Sequence, residues 1–371
     1  MSTTCGKILE IIDESAPFDY AENWDNVGLL VGDPRKEIQR IFLTLDITDE
    51  SLNEAIEKNA DIIVSHHPLI FSPLKNLRWD NKKGELIKKI LRNELCVIAA
   101  HTNLDVSSVG INTFLAQRLN LKNTVPLLAT NFEKFFKLIV YVPKNYLEEV
   151  KAALFETGAG VQGNYENCSF QSEGIGQFRP LKDAKPHIGS RFQLEKVEET
   201  KLEILLRQSI VKQTIDRLKE VHPYEEVAYD LFEIADQKFP IGIGIIGDLN
   251  NRMEFDDLAL KVKSCFNLKH LRIAGNRDLL VDKIAVCSGS GADLGVIAKK
   301  AGAQVLITGD MKYHDAQTAY EEDIVIVDVG HFNSEVCAKQ VLEEILSKGL
   351  ENESGIEIIK SERERDFIRY I

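Results

Sequence analysis

Three short stretches of the chain concentrate imidazoles and carboxylates. They are Ser65-His66-His67-Pro68, His101-Thr102-Asn103-Leu104-Asp105 and Gly330-His331-Phe332-Asn333-Ser334-Glu335. Together His66, His67, Asp105, His331 and Glu335 make a mixed nitrogen and oxygen donor set. Such a set suits zinc, iron or manganese, and two carboxylates can supply a bridge between two ions. His66 and His67 are neighbours, which point to opposite faces of a regular strand. Pro68 favours a bend there, but the two rings still aim in different directions, which suits two ions better than one. His331 and Glu335 are four apart and share a face if a helix starts near 331. Each stretch alone has a plainer reading. One histidine of the pair could be an exposed loop residue, and the His331–Glu335 spacing an ordinary helix-surface pair. Asp105 could be the N-cap of a helix over 106–119.

Other residues are weaker candidates. His101 heads the same stretch as Asp105, where it could orient a ligand or transfer a proton, or be a satisfied core histidine. Tyr313 and His314 follow Thr308-Gly309-Asp310. His314 is a candidate acid or base, with a surface position at a helix start as the alternative. Ser288-Gly289-Ser290-Gly291 joins a strand to a helix and could form an anion nest, although it lacks the lysine of a P-loop. A plain turn is the other reading. Trp24, Asp25 and Asn26 read as a core cap and turn contacts, His222-Pro223-Tyr224-Glu225-Glu226 as a turn, and Ile241-Gly242-Ile243-Gly244 as a strand.

Apolar runs alternating with helical periodicity must position these groups. In the first third, strands are expected at 41–47, 61–67 and 96–101, with helices at 49–59, 84–93 and 111–119. The last third repeats the pattern, with strands at 284–287, 304–308 and 324–329 and helices at 294–301, 314–320 and 334–346. This implies βαβ units and a mostly parallel sheet, whose carboxyl edge is where ligands bind. All three clusters fall just after predicted strands. The middle reads β-α-β-β-α-β between 136 and 234, the ferredoxin-like order. The expected organisation is one discontinuous α/β domain, 1–126 and 237–371, interrupted by a ferredoxin-like α+β module at 127–236. The tail from 349 retains apolar IEII and FIRYI, which suit a terminal strand or docking element.

The 371 residues carry 45 Lys plus Arg against 58 Asp plus Glu, a net charge of −13. That balance counts against nonspecific binding to nucleic acid or anionic lipid. The six cysteines are scattered, without a C-x-x-C pair, and read as buried and reduced. No stretch approaches the ~18 apolar residues of a membrane span, and the first residues lack a signal-peptide pattern. A cytoplasmic location is expected.

The ordered motifs NWDNVGL, SHHP, HTNLD, CSGSG, TGD followed by His, and GHFNSE resemble the Nif-three-like family, also described as GTP cyclohydrolase I type 2 homologues. The resemblance covers about 1–126 and 237–371. The middle looks like the PII- or CutA-like domain of the longer bacterial members, including its HPYEE stretch. The resemblance implies an α/β domain with a di-metal centre inside a toroidal homohexamer. Carried over position by position, His66, His67, Asp105, His331 and Glu335 are its metal ligands, and all five are present. Two divalent ions per subunit are implied, zinc first, with iron or manganese as alternatives.

The function this implies is metal-dependent hydrolysis, with GTP the named candidate. Hydroxide would open the guanine imidazole ring at C8 and release formate. His101 or His314 would shuttle protons, and residues 288–291 would help hold the triphosphate. The alternative is a non-catalytic metal-binding regulator or scaffold that senses a small ligand through the inserted module.

Overall fold

The computed structural model describes residues 3–369, so the last two residues of the FIRYI tail lie outside it. The chain forms two compact units. One comprises residues up to 131 together with those from 241 onward, and the other comprises residues 132–240.

The first unit holds two sheets where a single mostly parallel one was expected. In the first sheet, Cys96–Ala99, Ile62–Ser65, Arg40–Thr44 and Glu357–Lys360 lie side by side and parallel. Gly28–Val31 pairs antiparallel with Cys96–Ala99 at one edge. The tail's IEII stretch thus supplies the other edge strand. In the second sheet, Leu280–Val286, Val305–Thr308 and Val325–Asp328 are parallel. Arg272–Ala274 and the end of Tyr229–Glu254 flank them antiparallel. Periodicity marked these runs as buried strands but carries no information on which runs share a ladder.

Helices coat both faces of both sheets. Cys5–Ser15, Ile111–Arg118, Phe255–Phe266 and Ala338–Gly349 share one core with alternate residues of each sheet, including Ile41, Ile62, Ile98, Ile284, Val305 and Val327. On the first sheet's opposite face, Phe42, Ile63 and Val97 pack with Asp49–Glu57 and Lys82–Arg92. On the second's, Ala285, Leu306 and Ile326 pack with Gly295–Lys300 and Tyr313–Glu321. Helix starts are fixed locally. The Thr4 and Asn81 side chains accept from Lys7 and Gly84 amides, and Thr48 and Ser51 form a reciprocal capping box. The expected helix at 334–346 is instead two helices, His331–Glu335 and Ala338–Gly349, separated by Val336 and Cys337.

The second unit follows the order strand, helix Leu147–Glu156, strand Ser169–Phe178, strand Glu195–Arg207, helix Val211–Val221, strand. Its first and last strands are parts of Lys122–Pro143 and Tyr229–Glu254, along which the chain enters and leaves. Across the sheet the order is Ser169–Phe178, Glu195–Arg207, Lys122–Pro143, Tyr229–Glu254. Leu138, Val140, Leu202 and Ile204 on one face pack against Val150, Leu154, Ile215 and Leu218 of the two helices. All six cysteines are free thiols. Cys168 and Cys265 are only half-buried, against the expectation of six core residues. Among the described residues no helix is long and apolar enough to cross a membrane.

Candidate metal centre

Six strands of the first unit end at one place. Asp46 follows Arg40–Thr44, His66 and His67 follow Ile62–Ser65, and His101 follows Cys96–Ala99. From the second sheet, Ser288 follows Leu280–Val286, Asp310 follows Val305–Thr308, and His331 follows Val325–Asp328. Parallel strands aligned in register put their carboxyl ends together, so residues distant in sequence converge there.

The structure brings His66, His67, Asp105, His331, Glu335 and His101 together. Donor atoms of His66, Asp105 and Glu335 lie within 4.8 Å of one another, as do those of His67, His331 and Glu335, and those of His66, His67 and His101. Glu335 is common to the first two groups and divides its oxygens between them. Its Oε1 is 3.9 Å from His66 Nε2, while its Oε2 is 2.9 Å from His67 Nε2 and 2.8 Å from His331 Nε2. Asp105 Oδ2 is also 3.9 Å from His66 Nε2.

The histidines are oriented from behind. His66 Nδ1 donates to the Ala100 carbonyl at 2.8 Å. His67 Nδ1 pairs with Asp46 Oδ1 at 2.8 Å, and His331 Nδ1 with Asp310 Oδ2 at 2.7 Å. His101 Nδ1 pairs with Asp25 Oδ1 at 2.9 Å. A hydrogen bond at one ring nitrogen fixes the tautomer and frees the other for a ligand role. His66 shows this most plainly: it is fully buried, and among the described residues its Nε2 has no hydrogen-bond partner. A buried polar atom without a partner costs free energy unless something absent from the protein satisfies it. A cation between His66, Asp105 and Glu335 would do so, and the donor set therefore fits a divalent ion.

The charges agree. Burial would push Glu335 up, but hydrogen bonding with His331 and His67 holds it well below the usual carboxylate range. Burial raises Asp105, and the nearby Glu335 charge adds to that. Burial would lower His67, yet Asp46 and Glu335 carry it up to about 10. Hydrogen bonding to Glu335 lifts His331 to about 9 against its own burial, with Asp310 assisting. Without a cation, protons serve as the counter-charge.

Several expectations are corrected by these positions. Asp105 lies inside the short helix Thr102–Val106, and Gly110 occupies the N-cap position of Ile111–Arg118, so Asp105 is not that helix's cap. Residues 288–291 do not form a free anion nest. The amides of Ser288, Gly289 and Gly291 donate to Asn112 Oδ1, Ser334 Oγ and Thr308 Oγ1. Ser288 Oγ instead donates to Asp105 Oδ1 at 2.9 Å, so the turn positions a member of the cluster. Ser290 is exposed. His314 is exposed, pairs with Gln317 and stays outside the cluster.

Asp46, Asp310 and Asp25 were not recognised as histidine partners from the sequence. Each is a lone acidic residue whose role depends on a partner at least 21 positions away. Burial would raise Asp25, but hydrogen bonds from His101 and Thr102 hold it at about 2. At the edge of the cluster Trp24 and Phe71 are 57% and 45% exposed. Their ring centroids are 5.6 Å apart, and both rings stand edge-on to His101. Asn26 Nδ2 donates to the Ile70 carbonyl, which ties the Trp24 segment to the one bearing Phe71.

Comparison with known proteins agrees over nearly the whole chain. A relative from Bacillus subtilis (strain 168), named GTP cyclohydrolase 1 type 2 homolog, is 40% identical over 356 residues, which covers 96% of this chain and 95% of the relative. A Staphylococcus epidermidis protein of the same name is 39% identical over 365 residues, covering 98% and 99%. The crystal structure of a Bacillus cereus protein related to NIF3 superposes with a TM-score of 0.77 at 36% identity, covering all of both chains. The family model for Duf34/NIF3 (NGG1p interacting factor 3) matches residues 3–366. The chain belongs to the DUF34/NIF3 family.

Proposed function

We propose that this protein is a metal-dependent hydrolase that holds two divalent ions and acts on a nucleotide, with GTP as the first candidate. The observation that carries the metal reading is the division of the Glu335 oxygens between two donor groups, beside the unpartnered Nε2 of His66. His66, Asp105 and Glu335 would hold one ion, and His67, His331 and Glu335 the other. Zinc is the first choice for these donors, with iron or manganese as alternatives. Such ions supply hydroxide at neutral pH and polarise a substrate oxygen.

The chain's own residues do the rest. His101 touches both His66 and His67 rings and is held by Asp25. We assign it the proton transfer, from a ring whose tautomer Asp25 fixes. Trp24 and Phe71 offer apolar rings at the edge of the cluster, where a planar base can stack. The relatives' shared name supports a guanine nucleotide as the first substrate to try. We further read residues 132–240 as a ferredoxin-like, PII/CutA-like module, supported by its element order and strand order. The assembly we propose is the homohexamer that the family resemblance implies.

The test is protein stripped of metal and reloaded with zinc, iron(II) or manganese, incubated with GTP and assayed for formate and the ring-opened product. Turnover should require metal and fall at least ~100-fold in Glu335→Gln and His67→Ala. Turnover that survives in both variants would falsify this mechanism. Full metal occupancy without turnover across a nucleotide panel would favour a non-catalytic regulator or scaffold.

A further inference from the structure

The inserted unit contains a cavity of about 760 Å³, formed entirely by its own residues. Its origin lies in the strand pattern. In Glu195–Arg207, Leu202, Ile204 and Leu206 face the two helices. Glu199 and Lys201 therefore face the other side, away from the two described helices of the unit. On the neighbouring strand Gly174 stands opposite Glu199, and Gly176 lies two residues on. Neither fills the space above the sheet. A Cβ on Gly174 would meet only the Glu199 carbonyl at 3.9 Å, whereas one on Gly176 would collide with the Glu199 carboxylate. Residues of the following segment, Arg179, Pro180, Leu181 and Pro186 among them, also line the cavity; the exposed Arg179 donates to the Phe192 carbonyl.

The lining is chiefly apolar, with Tyr141, Ile175, Phe178, Leu181 and Tyr224 contributing. Phe178 and Tyr224 stand edge to face with centroids 5.7 Å apart. Within these rings sits the half-buried Glu199. Its Oε1 accepts from the Tyr224 hydroxyl at 2.9 Å, and among the described residues it forms no ion pair. The adjacent cation, Lys201, is already paired with Glu203 at 2.7 Å. A carboxylate without a counter-ion, set among aromatic rings in an apolar hollow, is chemistry that recognises a cation with an apolar body.

We propose that this cavity binds a small organic cation, an aromatic or branched apolar body bearing one protonated nitrogen, with Glu199 as its counter-charge. The site is separate from the metal cluster and does not depend on the hydrolase reading. Full-length protein is titrated calorimetrically with tryptamine. Tryptophol and indole-3-acetate, which replace the ammonium by a neutral and an anionic group, are the controls. Tryptamine should bind at least tenfold more tightly than either. Glu199→Gln should erase that preference, and Gly174→Leu, which fills the hollow, should abolish binding of all three. His331→Ala should leave tryptamine binding unchanged. Equal affinity for the three indoles, no saturable tryptamine binding, or undiminished binding in Gly174→Leu would each overturn the proposal. So would a His331→Ala protein that no longer binds. Circular dichroism of each variant checks its fold, and if a variant misfolds, the ligand contrast on the parent protein still decides.

Discussion

A Cβ on Gly289 would lie 2.2 Å from Glu335 Oε1. The glycine also has a φ of +64°, in the left-handed region that side chains disfavour. The turn after Leu280–Val286 thus makes the room that the shared carboxylate occupies. Gly289→Ala should push Glu335 out of place and add backbone strain. The expected result is loss of most bound metal on elemental analysis, while circular dichroism stays close to that of the parent. A variant that keeps its full metal complement would show that Glu335 is not confined by this turn.

Asp25 acts on the cluster through His101. Its Oδ1 takes the imidazole Nδ1, while its Oδ2 accepts from the amide and hydroxyl of Thr102. Asp25→Asn keeps the shape but can present an amide N–H to Nδ1, which favours the wrong tautomer. Metal content should hold, and turnover of any substrate should fall about 10–100-fold, the usual cost of losing such a partner. The pH profile should change shape with it, since the proton on His101 would no longer be fixed. Loss of metal in step with turnover would instead make Asp25 a support of the whole site.

The metal-free protein should respond to pH in a defined direction. The Asp46 and Glu335 carboxylates carry His67 up to about 10, and Glu335 with Asp310 carries His331 up to about 9, both above the ordinary 6.5. Histidines raised in the folded state stabilise it fully below 6.5, and that contribution is lost as pH rises through about 9 to 10. Metal must displace the same protons, so its affinity should increase over this range. Stripped protein should lose thermal stability between pH 7 and 10 while loaded protein is spared, so the gap between their melting temperatures widens. Glu335→Gln removes the carboxylate common to both histidines and should flatten the stripped-protein curve. A gap that narrows with rising pH would contradict the assignment of these protons.

The donors themselves were legible in the sequence. His66, His67, Asp105, His331 and Glu335 stand at or just after apolar runs that read as strands, strand ends share an edge, and the family resemblance singles out the same five positions. What surrounds them was not. Asp46 and Asp310 hold His67 and His331 across gaps of 21 residues, and nothing in local spacing marks a lone aspartate as a histidine's partner. Residues 288–291 illustrate the converse. A glycine-rich turn suggests free amides, but here Asn112, Ser334 and Thr308 consume them. The division into two sheets was equally hidden, because Ile62–Ser65 and Val305–Thr308 have the same apolar character and differ only in their hydrogen-bonded neighbours. The edge strand Glu357–Lys360 was visible in the IEII pattern.

The segment following that edge strand has a further role. Glu364 Oε1 accepts from the Thr44 hydroxyl and from the amides of Leu45 and Asp46. Its other oxygen lies 2.6 Å from Lys339 Nζ, and both side chains are largely buried. Glu364 therefore closes the end of Arg40–Thr44 and fixes Asp46, the residue that orients His67. Glu364→Ala leaves buried donors without partners and should cost roughly 2–3 kcal/mol. Glu364→Gln keeps an acceptor oxygen and should cost less. Trp24 and Trp79 are the only tryptophans and both lie in the first unit, so their fluorescence during urea unfolding reports that unit alone. Its midpoint should fall clearly for the alanine variant and less for the glutamine. Metal retention should fall in the same order, because an Asp46 released from its anchor no longer sets the angle of the His67 ring. Unchanged midpoints would mean that water replaces the carboxylate without loss, and the strand end would then need no such closure.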